Sequence, residues 1–212
     1  KQKTAYEIVD CDWSSDVCSS DLWNEAFAQS EPSQMFPSRP VRLIVPFAPG
    51  GAGDVLARIL GARLTEITGA QHVVDNRGGS GGLIGTDITA KSAGNGYTQL
   101  LHSAGISYEP ALRDKLPYDT LRDLAAITLI GSTPNVLVVH PAFSARTARE
   151  LIALAKQKPG AVTFGSGGVG SSSHLAVALF QSLAGARFNH IPYKGSGPAL
   201  GEVIAEIGRA HV

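Results

Sequence analysis

Three short stretches are built of residue types that leave peptide N–H groups bare: Ala48–Gly53 (APGGAG), Asn76–Gly82 (NRGGSGG) and Gly165–His174 (GSGGVGSSSH). Glycine has no Cβ, so a ligand can approach the backbone closely. Each stretch is followed by apolar residues at helical spacing, which places a helix N-terminus, with its unpaired donors and positive dipole end, against the loop. The chemistry this suits is the holding of an anion by oriented neutral donors. Each helix end contributes about 0.3–1 kcal/mol, so several must converge. Charge-assisted hydrogen bonds of about 1.5–3 kcal/mol each then bring micromolar affinity within reach.

Catalytic and metal chemistry find less support. Ser172-Ser173-His174 lacks the G-x-S-x-G elbow of a nucleophile and is expected to cap a helix. His72, His102, His140 and His190 stand at strand edges without metal-ligand spacing, so no metal is expected. NRGGSGG has neither the G-x-G-x-x-G order nor a Walker lysine, so no nucleotide or other cofactor is expected. Asp75, Glu109, Asp119 and Asp123 form no acid/base pair that spacing alone establishes.

The elements that must position these loops alternate. Val41–Phe47 is an expected strand, and Asp54–Thr68 an expected helix with Val55, Leu56, Ile59, Leu60, Leu64 and Ile67 at helical spacing and Asp54 as N-cap. His72–Asp75 and Thr98–His102 are read as strands around a helix at Leu83–Ala93, and Leu112–Leu121 as a loop. Ile127–Ile130 and Val136–Val139 are expected strands parted by Gly131–Asn135, a candidate hinge. Beyond it come a helix at Thr147–Gln157, a strand at Val162–Phe164, a helix at Leu175–Leu183, a strand at Phe188–Ile191 and a helix from Ala199. Strand–glycine loop–helix units on both sides of the hinge predict an α/β protein whose loops gather at the strand C-terminal ends. Two such units facing each other make a cleft suited to a small ligand.

The two ends read differently. Residues 1–22 have no hydrophobic period and resemble a translated sequencing-library adapter; Ile207–Val212 (IGRAHV) resembles the matching adapter in the opposite sense. Both cysteines, Cys11 and Cys18, fall in the first scar, so neither disulfide nor metal pair is read from them. Taking Lys1, Lys3 and Arg209 from the 18 bases, and Glu7, Asp10, Asp12, Asp16 and Asp21 from the 18 acids, leaves 15 against 13, a net of +2. That balance marks neither a nucleic-acid nor a membrane-surface binder. No apolar run is long enough to span a bilayer. Ala26-Phe27-Ala28 before Gln29 has the small-x-small form of a signal-peptide cleavage site, followed by a polar, proline-punctuated linker. An exported protein, cysteine-free outside the adapter-like ends, is the expectation.

PVRLIVPFAPGGAGDVLAR, DNRGGSGGLIG and LPYDTLRDLAAITLIGSTPNVLVVHP resemble the substrate-binding proteins of tripartite tricarboxylate transporters, the Bug family, and GSGGVGSSSHLAVALFQSLAG with HIPYKGSGPAL is similar to their second domain. The resemblance runs from about Phe36 to Ala205. It implies a periplasmic-binding-protein-like α/β fold, with two domains closing on a small carboxylate. Residues 23–35 are then signal-peptide remnant and linker, 36–132 the first domain without its C-terminal return, and 133–206 a truncated second domain. The implied function is a periplasmic, monomeric, non-enzymatic receptor for a di- or tricarboxylate or related organic acid, delivering it to membrane transporter subunits. The alternatives are an α/β enzyme using Asp54 or His174 as general base, and a receptor feeding a sensor kinase. Carried over by motif, the ligand contacts are Phe47, Ala48, Gly50, Gly51, Ala52 and Asp54 from the first loop, Ser103 and Ser107 from the loop after the third strand, and Gly170, Ser171, Ser172 and Ser173 from the second domain, with bridging waters. The grip is expected to hold no arginine or lysine.

Overall fold

The computed structural model describes residues 36–205 and 210–211. The expectations for Lys1–Leu22 and for cleavage at Ala26–Ala28 lie outside the described residues.

The first sheet grows around β1 (Val41–Val45), whose Val41, Ile44 and Val45 are fully buried. Enclosing such aliphatic side chains contributes about 1.5–3 kcal/mol each. The chain runs from β1 through α1 (Ala52–Thr68) to β2 (His72–Asn76). It returns by a 3-10 turn (Ser80–Gly82) and α2 (Leu83–Ala90) to β3 (Thr98–Leu100), and α3 (Gly105–Leu112) follows. All pairings are parallel and the strand order is β2-β1-β3, with Val41 opposite His72 and Arg42 opposite Thr98. Because the connection reverses direction at β1, the loops leaving β1 and β3 part around a crevice, the usual ligand position in such sheets. Leu43, Val45, Ala57 and Leu101 form the core here, with Leu56, Leu60 and Val74 against them.

The second sheet has β4 (Val138–Val139), α4 (Ala148–Gln157), β5 (Thr163–Ser166), α5 (Ser172–Ala184), β6 (Asn189–Pro192), α6 (Ser196–Ile204) and β7 (Ala210–His211). Its order is β4-β7-β5-β6, with β5 parallel to β6 and to β7, and β4 antiparallel to β7. The Thr147 hydroxyl accepts from Glu150 N–H and starts α4. Ala145, Leu151, Ala155, Val162 and Ala186 make the larger core, and Phe164 with Val177 a smaller one. The two residues of β7 lie in the adapter-like tail. Sheet pairing uses backbone groups alone, so a slot between two strands accepts an extended dipeptide whatever its side chains.

Four expectations are corrected. Asp54 is not the N-cap of α1: Gly51 is, and Asp54 is the third helical residue. Ile127–Ile130 forms no strand, and Ile127 and Leu129 are 78% and 86% exposed; an apolar run without a partner edge has no ladder to join. Residues 105–112 form a helix, so Ser107 stands on α3 and not on a loop. Of the six apolar positions on α1, Leu56, Leu60 and Leu64 are half-buried, while Val55, Ile59 and Ile67 are exposed. Spacing marks a helix but not which stripe finds a partner. From Pro37 onward the chain is one compact unit, the two sheets and their helices forming lobes that meet through their loops.

Candidate ligand-binding site

The first loop leaves β1 at Pro46. Its shape is set by Asp54, whose Oδ2 accepts the Gly50 N–H at 3.0 Å and the Arg58 Nε–H at 3.1 Å. Asp54 Oδ1 stands 3.0 Å from Arg58 Nη2, an ion-pair distance without hydrogen-bond angles. Arg58 is the main cause holding the Asp54 carboxyl below its usual range; desolvation opposes it and the Gly50 N–H assists. Asp54 therefore organises the loop, and its charge is offset by its own helix. Asn76 closes the other side by donating to the Phe47 carbonyl at 3.1 Å. The Ala48 N–H donates to the Lys194 carbonyl of the second lobe at 2.8 Å. Among the described residues, the N–H groups of Gly51, Ala52 and Gly53 keep no partner. These are the open donors of the α1 N-terminus.

After β3, the Ser103 hydroxyl is enclosed without a partner, and Ser107 donates to the Ala104 carbonyl at 2.7 Å within its own helix turn. Phe47 meets His102 edge-on at 5.5 Å between ring centres. α3 is anchored from behind: buried Glu109 accepts from the Tyr118 hydroxyl, and Arg113 donates to the Ser80 carbonyl at 2.7 Å. Burial pushes the Glu109 carboxyl up in pKa, the Tyr118 bond working against it.

The second-lobe loop turns most of its donors inward. Gly167 N–H donates to Ser173 Oγ at 3.0 Å, Gly168 N–H to Ser166 Oγ at 3.2 Å, and Gly170 N–H to His174 Nδ1 at 3.3 Å. Ser171 caps α5 by accepting from His174 N–H. The hydroxyls of Ser171 and Ser173 lie 3.1 Å apart, hydrogen-bonded to each other. Of the four residues expected to donate here, Gly170 and the hydroxyls of Ser171 and Ser173 are thus engaged in the loop itself. The N–H groups of Ser172 and Ser173 and the Ser172 hydroxyl have no partner among the described residues.

The lobes meet backbone to backbone. A Cβ at Gly197 would stand 2.6 Å from the Pro49 carbonyl oxygen, and one at Gly81 2.0 Å from that of Val169. A Cβ at Gly51 would stand 2.8 Å from Ser196 Oγ. The N-termini of α1 and α6 therefore face each other across the seam, and a Cβ at Gly105, where α3 begins, would stand 3.3 Å from the Gly170 carbonyl oxygen and 3.4 Å from Ser103 Oγ. This joins Gly50 and Gly51 to the α6 loop, and the Ser103 region to Gly170. Ser107 is exposed. Sequence reading took Lys194 for a surface lysine beside a packed Tyr193, and it passed over Ser196 and Gly197. Their signal was the strand–glycine–helix order of PYKGSGP, the same order as in the three glycine clusters. It also passed over Arg77, a cation inside the second glycine loop, which is ion-paired with Asp75 at 2.8 Å.

The family description "tripartite tricarboxylate transporter family receptor" matches residues 56–210. The chain belongs to that family. It is 45% identical over 179 residues to Protein BugT of Bordetella pertussis, covering 84% of this chain and 55% of that protein. Among solved structures it resembles R. palustris Rpa4515 with adipate at TM-score 0.79 and 35% identity, covering 82% of this chain and 59% of that one. It also resembles MatC from Rhodopseudomonas palustris with bound malate at TM-score 0.74 and 26% identity, covering 82% and 60%. The periplasmic binding protein BugD gives TM-score 0.79 and 32% identity, covering 82% and 58%. The fold is that of an α/β periplasmic binding protein, and the family is one of non-enzymatic receptors. The chain spans about half the length of the curated relatives it matches, BugT at 55%. Within this receptor family the engaged states of Asp54 and His174 make sense: both candidate bases hold glycine-loop N–H groups.

Proposed function

We propose that this chain is the ligand-receiving part of a periplasmic receptor for a small di- or tricarboxylate or related organic acid, which it passes to a tripartite tricarboxylate-type membrane transporter. The observation that carries this reading is the close approach of glycine loops and helix N-termini across the lobe seam, α1 against α6 and the start of α3 against Gly170, with unengaged donors at Gly51–Gly53 in one lobe and at Ser172 and Ser173 in the other. Carboxylates suit such donors because they accept several hydrogen bonds and are favoured by both dipoles. The relatives that hold adipate and malate support the substrate class. Gly51, Ala52, Ser172 and Ser173 are the proposed direct contacts. Phe47, Ala48, Gly50, Asp54, Ser103, Gly170 and Ser171 shape the loops, and Ser107 contributes at the rim. The same reading keeps Lys1–Leu22 and Ile207–Val212 as adapter-derived, residues 36–132 and 133–206 as two domains with the ligand between them, and the protein as a monomer.

The test is calorimetric titration of adipate, malate and citrate into the full-length protein that carries residues 36–205. Binding to at least one, unchanged on release, is expected. Gly51→Val should weaken it more than about a hundredfold with the fold intact, because the added side chain obstructs the donors. Full affinity in that variant would move the site elsewhere.

A further inference from the structure

Beneath the second-lobe glycine loop stands a column of three rings from three elements. Phe164 of β5 stacks on His190 of β6 at 4.7 Å and 15°, and His190 stacks on His174 of α5 at 4.3 Å and 18°. Each imidazole reaches the loop. His174 Nδ1 takes the Gly170 N–H, and His190 Nε2 lies 2.6 Å from Ser166 Oγ, which takes the Gly168 N–H. Two of the N–H groups that set the loop's course are therefore satisfied through this histidine pair.

We propose that His174 and His190 are positioning residues, which hold the Gly167–Ser171 backbone so that the Ser172 and Ser173 N–H groups stay turned toward the ligand's carboxylate. This rests on the carboxylate-receptor reading. The physical requirement is that His174 be neutral, since only an unprotonated Nδ1 can accept from Gly170. Two stacked rings cannot both carry charge at such a separation without repulsion. The surroundings keep the pair neutral: burial lowers His174, and burial followed by repulsion from His174 lowers His190 to about 4. No carboxylate or lysine of β5, β6 or α5 weighs on either ring, and Tyr193 just beyond β6 answers to burial and Glu202 instead. A mere packing role would need the ring shapes and not the acceptor.

The experiment compares four proteins by adipate and malate calorimetry at about pH 7.5, with thermal unfolding as the folding control. His174→Leu, which keeps bulk and loses the acceptor, should bind about tenfold more weakly, the worth of one buried hydrogen bond. His174→Asn places an amide oxygen near the position of Nδ1 and should restore most of that affinity. His190→Phe keeps the column and loses the Ser166 contact, and should weaken binding about threefold. The ratio of wild-type to His174→Asn dissociation constants cancels the ligand's own titration. It should stay constant above about pH 6.5 and rise as the pH falls toward 4.5. Wild-type affinity in His174→Leu, equal losses in Leu and Asn variants, or a ratio flat with pH would each overturn the proposal. If His174→Leu fails to fold, the pH ratio alone decides. Failure of wild type to bind either acid would bring down the carboxylate reading and this proposal with it, whereas intact wild-type binding with indifferent variants would sink only this one.

Discussion

The β1–α1 loop and the β5–α5 loop share one grammar, strand, glycines and helix, yet they are held in shape by opposite electrostatics. In the first lobe a carboxylate sets the shape: Asp54 accepts Gly50 N–H and is offset by Arg58 one helical turn on. In the second lobe neutral groups set it, namely Ser166, Ser173 and His174. Both leave bare the first N–H groups of the next helix. A glycine loop's direction is thus set by whatever satisfies its other donors, and a charge is only one way to do so.

The seam between the lobes offers the largest effect. Gly197 lies in the first turn of α6 with no positive φ, so alanine there should favour the helix by up to about 1 kcal/mol. Its Cβ would nevertheless stand 2.6 Å from the Pro49 carbonyl oxygen. Gly197→Ala is expected to weaken carboxylate binding by about tenfold or more, and because the clash is with backbone it should cost about 1–3 kcal/mol of stability, more than the helix gains. Equal affinity would show that the two loops need not approach this closely, and the comparison would lose its common ligand.

Next is the charged scaffold. Asp54→Ala frees the Gly50 N–H and leaves Arg58 unpaired. A loss of about 1–3 kcal/mol in stability and roughly tenfold in affinity is expected, with Asp54→Asn in between. If Asp54→Ala bound a dicarboxylate more tightly, the carboxylate would be a repulsive element and not an organiser.

Acid unfolding separates the scaffolds by pH. The lowered His174 and His190 mean that the unfolded chain takes up protons first, so stability contributed by the second lobe falls as pH drops from about 6.5 toward His190's value of about 4. After discounting for their partial exposure this is on the order of 1 kcal/mol. Asp54 and Asp75 are lowered too, so their contribution is complete above the ordinary carboxylate range and is lost only at lower pH, through their folded values. Glu109, raised by burial, works the other way and favours the fold as it protonates. Melting temperatures of wild type and His190→Phe from pH 7 to 3 should differ in slope chiefly between about 6.5 and 4. Parallel curves would erase the distinction between the lobes.

The smallest effect is expected on the outer face of α1. Ile59 is 63% exposed, and Ile59→Ser should change neither affinity nor, beyond about 0.5 kcal/mol, the stability of this chain. A loss above about 1.5 kcal/mol would mean that this face is covered in solution.

Much was legible in the residues alone. Alternating apolar runs and glycine loops set out the α/β order, and the three glycine clusters marked the donor loops, because missing Cβ atoms and helix starts are local properties. The family resemblance rested on the same motifs, and most helices and strands fall within a few residues of their expected place, α3 and β7 excepted. What tertiary structure alone decided is how those local parts are used. Whether Val55 or Leu56 faces a core depends on which neighbour packs against α1, and Ile127–Ile130 stayed outside the sheets because its pattern carries no partner. Asp54, Ser171 and Ser173 have the right chemistry for a ligand, yet each spends it on a loop N–H or hydroxyl close by, a choice fixed by distances of about 3 Å that sequence spacing does not contain. Gly197 meeting Pro49, and His174 stacked on His190, join residues far apart in the chain. Such contacts arise only when the two lobes and their strands are assembled.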